Sequence, residues 1–212
     1  FHPSQQLLPK HKYQHIYAPF AYTLMTYKWL LEKDFKQVVN YNKSDLFKAK
    51  DQSLGMVWTK LIVGKLFHFS VFYALPMLLG APWYLVLWGN VVMHVIAGFI
   101  LSITFQLAHV VDKAEFPTEE EVQNITNLEH QMKTTANFAT RNWLVTWYTG
   151  GLNFQVEHHM FPTINHIHYP KIAEIVRKTA AEFELPYNEY RTTMSAIKGH
   201  FRHLRNMGMQ PA

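Results

Sequence analysis

The chain has 212 residues, of which 49% are hydrophobic, and a formal net charge of +5 with histidine neutral. It has no cysteine, which excludes a disulfide framework, a thiolate metal site and thiol catalysis. The overall hydropathy is close to neutral, which favours a protein that is part membrane-embedded and part water-facing. A basic balance suits nucleic acid or an anionic membrane surface. Because the basic residues flank apolar runs, we favour the membrane and expect no nucleic-acid partner.

The first segment, residues 1–60, is predicted to be cytoplasmic or interfacial. The chain begins at Phe1 with no initiator methionine, which suggests a processed chain or a fragment. Residues 16–31 are apolar but short, and they contain Lys28. This stretch is predicted either to lie in the membrane interface or to form an ordinary amphipathic helix. Residues 34–60 are rich in lysine and are expected to face water.

Two apolar stretches follow and predict two transmembrane helices within residues 61–108. The stretches are 61–79 and 83–108, and Gly-Ala-Pro at 80–82 is a turn signal between them. A membrane-spanning helix needs about 20 apolar residues, and both stretches are long enough. The alternative, two buried helices of a soluble protein, is disfavoured because the second stretch is so long and apolar. Lysine-rich sequence precedes the first stretch, so the positive-inside rule places the turn outside and both flanks in the cytoplasm.

The third segment, residues 109–212, is predicted to be a cytoplasmic region. Thr118 and Glu121 have the spacing of a capping box at the start of a helix. Apolar residues recur at helical spacing over 171–184 and predict an amphipathic helix. The basic tail, 189–205, is expected either to contact lipid headgroups or to be solvated, and His200 and His203 are expected to be just part of that basic tail.

The most informative motif is Gln155-Val-Glu-His158-His159, which follows a Gly-Gly turn signal. On a helix the two histidines flank the face that carries Gln155, so three donor groups are expected to point into one space. Imidazole suits iron, zinc and copper alike, so position alone does not choose the metal. The His-Glu-x-x-His signature of zinc peptidases is absent. His109 is predicted at the membrane boundary, where an enzyme acting on lipid chains would place a metal.

Four stretches resemble front-end acyl desaturases, and the resemblance spans essentially the whole chain. The run Gln155-Val-Glu-His-His-Met-Phe-Pro162 is similar to the third histidine box of that family, in which glutamine replaces the first histidine. Phe105-Gln-Leu-Ala-His-Val-Val111 resembles the end of the last membrane helix, and His130-Gln-Met-Lys-Thr-Thr-Ala-Asn-Phe138 resembles a further family segment. The His-x-His-Tyr-Pro after Pro162 resembles bacterial members.

The resemblance implies a mainly α fold, an integral-membrane helical hairpin with a cytoplasmic helical cap that carries a histidine-rich di-iron site. It implies two non-haem iron ions, O2 as oxidant, and insertion of a double bond into the acyl chain of an acyl-CoA or a membrane lipid. Electrons would come from an external donor, cytochrome b5 or ferredoxin. The protein would lie in a bacterial inner membrane with its catalytic region in the cytoplasm.

The resemblance also implies roles for individual residues. His109, His158 and His159 match iron ligands and are the predicted catalytic residues. Gln155 matches the variant first position of the box and is expected to orient a neighbour or hold water rather than bind iron. In such sites, carboxamides and carboxylates that hydrogen-bond to the ligand rings orient those rings. The candidates for this role are Asn137, Gln131 and Glu157.

The chain departs from the family in lacking two earlier boxes, of the His-Asp-x-x-His and His-x-x-His-His kinds. Three histidines cannot hold two irons, so we expect an N-terminal half to be missing and the chain alone to be inactive. The rival functions are a di-iron membrane hydroxylase and a non-enzymatic membrane protein with a histidine cluster. His68 and His94 are expected to pack between helices, since His94 lies about 22 Å before His109 along a helix. His166 and His168 follow the box closely but are not predicted as ligands.

Overall fold

The computed structural model describes residues 7–44, 46–50 and 52–209, and these are mainly helical, as predicted. Residues 1–6 and 210–212, both in predicted water-facing segments, lie outside the described residues. The α-helices, in chain order, are α1 Gln14–Thr23, α2 Met25–Lys28, α3 Asp34–Lys43, α4 Leu46–Ala49, α5 Leu54–Phe69, α6 Leu75–Leu78, α7 Trp83–His109, α8 Glu119–Asn124, α9 Asn127–Thr134, α10 Trp143–Thr149, α11 Gln155–Met160, α12 Tyr169–Glu182 and α13 Thr193–Met209.

The described residues also contain short helical segments of other types and two short strands. Two are π-helical, Trp29–Lys33 and Ser70–Ala74, and two are 3-10 turns, Pro9–Tyr13 and His166–His168. Strands β1, Asn137–Phe138, and β2, Glu189–Tyr190, pair in parallel with Asn137 opposite Glu189 and Phe138 opposite Tyr190.

The described residues form two compact units. One combines the residues up to Pro19 with those from Ile103 onward, and the other is Phe20–Ser102. The division into segments 1–60, 61–108 and 109–212 stays a prediction.

Two helical stretches are long and apolar enough, by length and composition, to cross a membrane. They are Leu54–Leu78, with 25 residues and a hydropathy of 1.6, and Trp83–His109, with 27 residues and a hydropathy of 2.0. The first begins seven residues before the predicted start, because the apolar residues from Leu54 continue the helix past Lys60. The predicted turn is present: Gly80 has φ 94°, a conformation that glycine adopts without strain.

A lysine interrupts the first candidate span and is paired within the same unit. The Lys65 ammonium lies 2.6 Å from the Asp34 carboxylate and 5.9 Å from the centre of the Phe35 ring. Charges inside a span are costly unless they are paired or reach the interface. The ion pair therefore explains how the helix from Leu54 continues through Lys65.

The polar residues of α7 hold neighbouring segments of the same unit. The Asn90 side-chain amide donates to the carbonyl of Phe72 at 3.0 Å, within the π-helical segment. The Thr26 hydroxyl donates to the His94 carbonyl at 3.0 Å, so it accepts from His94 Nδ1, 3.1 Å away. The Tyr27 ring lies 4.5 Å from the His94 ring. Hydrogen bonds between helices are a usual means of packing in membranes, so His94 packs between segments as expected from the sequence.

Gly98 marks a close approach between α7 and the end of α1. A Cβ added there would lie 2.5 Å from the Thr23 carbonyl oxygen, whereas a Cβ at Gly89, on the same helix, would meet nothing within 4 Å. We therefore expect Gly98→Ala to lower the free energy of unfolding by about 1–3 kcal/mol through overpacking. Gly89→Ala should be neutral or slightly stabilising, because alanine is the better helix former. Thermal unfolding of both variants in detergent tests this, and equal melting temperatures would contradict it.

The other unit builds a core around the end of α7. Leu107, Val111, Phe138 and Ala196 are at most 2% exposed and belong to one cluster that joins α7, β1 and α13. The last turn of α7 is therefore enclosed by protein. The predicted capping box is confirmed, since the Thr118 hydroxyl accepts from the Glu121 amide while the Glu121 carboxylate accepts from the Thr118 amide.

The C-terminal tail differs from its prediction in the placement of its two histidines. Residues 193–209 form α13, and its inner face buries His200 and His203, which are 0% and 8% exposed. Ala196, His200, His203 and Leu204 recur every three or four residues, which puts them on one side of a helix. The prediction that these histidines are just part of a basic tail is therefore wrong, because they face the protein interior.

Candidate metal centre

Two glycines shape the turn that leads into α11. Gly150 ends α10 with φ 60°, and Gly151 follows with φ 80°. A Cβ at Gly151 would lie 2.6 Å from the Cβ of His166, so this position also needs glycine for its close packing. Asn153, fully buried, accepts from the Phe138 amide through its carbonyl and donates to the Thr146 hydroxyl. These contacts fix the start of α11 against β1 and α10.

One turn of α11 and the end of α7 bring three side-chain nitrogens together. Gln155 Nε2 lies 2.9 Å from His159 Nε2 and 3.2 Å from His109 Nε2. The two imidazole nitrogens are 3.4 Å apart. Nitrogens that bind one ion through bonds of about 2.1 Å lie roughly 3.0–3.4 Å from each other. His109 and His159 are therefore spaced as two adjacent ligands of a single metal ion.

The charge state of His159 suits metal binding. Burial, followed by the neighbouring His109 and His158 rings, lowers the pKa of His159 to about 4. The ring is therefore neutral near pH 7, and neutral imidazole is the form that coordinates metals. The Gln155 amide can donate to both histidine Nε2 atoms at once, which holds their lone pairs toward one point.

His158 does not join this cluster. Its Nδ1 lies 3.3 Å from the Tyr169 hydroxyl, and its ring centre is 5.6 Å from that of His159. Adjacent helical residues point about 100° apart, so the two rings face different directions. The expectation that Gln155 and both histidines of the pair point into one space holds only for Gln155 and His159.

Behind the histidine pair lies a buried polar network. Glu157 is fully buried and accepts from Asn137 Nδ2 at 2.7 Å and from the Tyr187 hydroxyl at 2.8 Å. Asn137 also accepts from the Val156 amide at 2.9 Å. Burial raises the pKa of Glu157, and the hydrogen bonds from Tyr187 and Asn137 oppose that rise. These hydrogen bonds hold α11 at Val156 and Glu157, and a supporting role for Asn137 and Glu157 at a metal centre stays a prediction.

Gln131 is placed differently from its expected supporting role. Its side-chain amide lies 3.4 Å from Asn127 Oδ1, and among the described residues no hydrogen bond joins it to the histidines. The backbone of Thr134, at the end of the same helix, instead hydrogen-bonds to His109. A backbone contact of this kind leaves no residue-type signal in the sequence.

The turn after His109 is held by three side chains that the sequence analysis did not select. The Val110 carbonyl accepts from His200 Nδ1 at 2.6 Å. The Asp112 carboxylate accepts from the Tyr190 hydroxyl and pairs with Arg202. Only the helical period of α13 could have indicated that His200 faces inward.

The histidines that follow the box and the one inside the second candidate span do not extend the cluster. His166 and His168 are exposed on their 3-10 turn, and the contacts of His94 are with Thr26, Tyr27 and His68. Among residues 7–44, 46–50 and 52–209, no group of three or more His, Cys, Asp or Glu side chains could hold a metal by itself. Within these residues the His109–His159 pair therefore lacks a third side chain of these types beside it.

Comparison with known proteins identifies the family. The sequence model for the family "Fatty acid desaturase" matches residues 2–191. The chain belongs to the fatty acid desaturase family. It is 36% identical over 203 residues to an acyl-lipid (8-3)-desaturase of Physcomitrium patens, covering 94% of this chain and 42% of that protein. The resemblance that the third box indicated is therefore confirmed.

Two cyanobacterial relatives are similar over nearly the whole chain. The sn-1 linoleoyl-lipid 6-desaturase of Synechocystis sp. is 35% identical over 97% of this chain and 58% of its own length. The enzyme of the same name from Arthrospira platensis is 32% identical over 99% of this chain and 56% of its own length. The chain thus spans about half the length of the curated relatives it matches. No solved structure matches it significantly.

Proposed function

We propose that this protein takes part in fatty acid desaturation, inserting a double bond into an acyl chain of a membrane lipid with O2 and non-haem iron. The observation that carries the proposal is the cluster of His109, Gln155 and His159 nitrogens, in a member of the fatty acid desaturase family. The relatives named as acyl-lipid desaturases favour a lipid-linked substrate over acyl-CoA.

The residues present fit part of an iron centre. His109 and His159 would bind one ion, and His158, which faces another direction, would bind a second. Iron bound to the His109 and His159 lone pairs would displace the Gln155 amide that contacts both rings, which would leave Gln155 to orient a neighbour or hold water. Asn137, through Glu157 and the Val156 amide, would hold α11 and so fix the direction of both histidines of the pair.

Bound iron would supply the oxidising power needed to break unactivated C–H bonds, which side-chain acids and bases cannot do. The balance is a CH2–CH2 unit, O2, two electrons and two protons giving CH=CH and two waters. The electrons would come from a separate donor protein, cytochrome b5 or ferredoxin. The chain contributes a neutral His159 imidazole and a half-buried histidine cluster beside the buried Gln155 and Glu157, which limits water around the site.

The two apolar helical stretches suit an integral-membrane protein. We propose that residues 61–108 contain the two spans, that residues 1–60 are interfacial or cytoplasmic, and that 109–212 form the cytoplasmic catalytic cap. By analogy with the cyanobacterial relatives, the membrane would be a bacterial inner membrane.

Iron content and product analysis on the full-length protein test the function. We expect about two irons per protein and an unsaturated lipid product when a reductase system is supplied. His159→Ala and His158→Ala should each lower the iron content and abolish desaturation, whereas His166→Ala, at an exposed position of the same region, should retain both. A hydroxylated product would indicate the rival oxygenase, and active protein with stoichiometric zinc and no iron would refute the proposal.

A further inference from the structure

Helix α10 exposes a face of large apolar and aromatic side chains. Trp143, Leu144, Trp147 and Tyr148 are 76%, 53%, 72% and 61% exposed. They occupy two adjacent positions on each of two successive turns, so they share one side of the helix. Val145 faces the other way and packs against the buried core. An exposed apolar patch of this kind marks an interaction surface.

The position and composition of α10 favour lipid as the partner. Val145 packs against the buried cluster that contains Leu107. Ile103 packs against the same cluster, and both Leu107 and Ile103 lie in the last turns of α7. Because α7 is long and apolar enough to span a membrane, α10 lies beside the end of a candidate span. Tryptophan and tyrosine are the side chains enriched where protein meets the membrane–water interface.

A basic pocket adjoins the first turn of α10. A cavity of about 400 Å³ is lined by Arg141, Glu189 and Arg191. Arg141 follows β1 and Arg191 follows β2. Because the two strands are parallel, their C-terminal ends lie side by side, and this brings the two arginines to one pocket.

The two arginines of this pocket have no carboxylate partner among the described residues. The Glu189 carboxylate, the acidic group of the pocket, pairs with Arg177 at 2.7 Å and accepts from the Thr140 hydroxyl. No ion pair within the described residues involves Arg141 or Arg191. Guanidinium groups bind phosphate in bidentate geometry, so this pocket has the charge and donors for a phosphate.

We propose that α10 and this pocket bind a phospholipid at the membrane surface. The face of Trp143, Leu144, Trp147 and Tyr148 enters the interfacial layer, and Arg141 and Arg191 hold the headgroup phosphate of the same lipid. The proposal does not depend on the iron chemistry, because none of these side chains belongs to the histidine cluster.

Fluorescence quenching tests the aromatic face. Full-length protein is placed in nanodiscs whose lipids carry bromine near the headgroup end of the chain. Subtracting the signal of a Trp143→Phe, Trp147→Phe double variant isolates these two tryptophans. We expect their emission to be quenched at least as strongly as that of Trp83, isolated in the same way, because Trp83 is 68% exposed at the start of a candidate span. Unquenched emission from the α10 pair would show that this face does not enter the lipid and would overturn the proposal.

Lipid retention tests the pocket. Native mass spectrometry measures phosphatidylglycerol binding by the full-length protein in detergent. Arg141→Gln and Arg191→Gln should each weaken binding about fivefold, the effect of one basic residue near an anionic surface. Arg205→Gln, at another exposed arginine, should leave binding unchanged. Equal effects at all three positions would contradict a specific site.

Inorganic phosphate and an aromatic substitution separate a lipid site from a simple anion site. Millimolar phosphate should not displace the lipid. Trp147→Ser should weaken lipid binding, whereas Phe183→Ser, at a comparably exposed aromatic just after α12, should not. Competition by phosphate together with no effect of Trp147→Ser would show an anion site only and would refute the lipid assignment. Unchanged melting temperatures of these exposed-site variants confirm that they are folded.

Discussion

His109→Ala should remove iron and desaturation activity, whereas His94→Ala should leave iron bound. His109 Nε2 lies 3.4 Å from His159 Nε2 and 3.2 Å from the Gln155 amide, the spacing of adjacent ligands. Loss of a ligand lowers metal affinity directly, and alanine provides no replacement donor. We therefore expect desaturation below detection and at least half of the iron lost.

His94 provides the matched control because it lies on the same helix. It is 6% exposed and contacts Thr26 and Tyr27, and along α7 it precedes His109 by about 22 Å. Its replacement should cost stability, by about 1–3 kcal/mol for the lost hydrogen bond and packing. Iron per folded protein should stay at the wild-type value.

Iron analysis and product analysis of both variants, purified in detergent, decide between these roles. Melting temperatures measured alongside show whether any loss of iron follows from unfolding. If His94→Ala loses iron while His109→Ala keeps it, the assignment of the ligand at the membrane boundary is wrong.

Local sequence patterns were sufficient to predict much of the helical part of the fold. The two long apolar stretches predicted the candidate spans because hydropathy over some 20 residues is a strong signal. The Thr118–Glu121 spacing predicted a cap because both partners lie in one helical turn. Gln155 and His159 were expected together for the same reason, being four residues apart on one helix.

Contacts between distant segments could not be predicted in this way. The β1–β2 pair has two residues in each strand and joins Asn137 to Glu189, which is too short for an alternating pattern to show. Tyr187 contacts Glu157 across 30 residues, and nothing in its local sequence indicates that partner. His200 was assigned to the basic tail because the basic composition of residues 189–205 was given more weight than the helical spacing of the apolar residues in α13.

Asn137→Ala should cost far more stability than the same change at an exposed asparagine. Asn137 is fully buried, and its side chain hydrogen-bonds to Glu157, to the Tyr187 hydroxyl and to the Val156 amide, at 2.7, 2.8 and 2.9 Å. Alanine would leave the Glu157 carboxylate and the Val156 amide each short of a buried partner. Leaving buried polar groups unpaired costs about 1–3 kcal/mol each, and more when one is charged.

We therefore expect Asn137→Ala to lower the free energy of unfolding by about 3–5 kcal/mol. Asn142→Ala is the control, because Asn142 is exposed and caps α10 through the Leu144 and Val145 amides. Loss of an N-cap costs about 1 kcal/mol. Chemical unfolding of both variants in detergent gives the two values, and iron retention under a chelator reports on α11.

Iron retention separates a supporting role for Asn137 from a purely structural one. Because Asn137 holds the Val156 amide and Glu157 on either side, its loss should free the first turn of α11, where Gln155 stands, and should weaken iron binding about 10–100-fold. Asn142→Ala should leave iron binding unchanged, since its cap lies in α10. Similar unfolding free energies for the two variants, or full iron retention by folded Asn137→Ala protein, would show that the buried network does not support the metal centre.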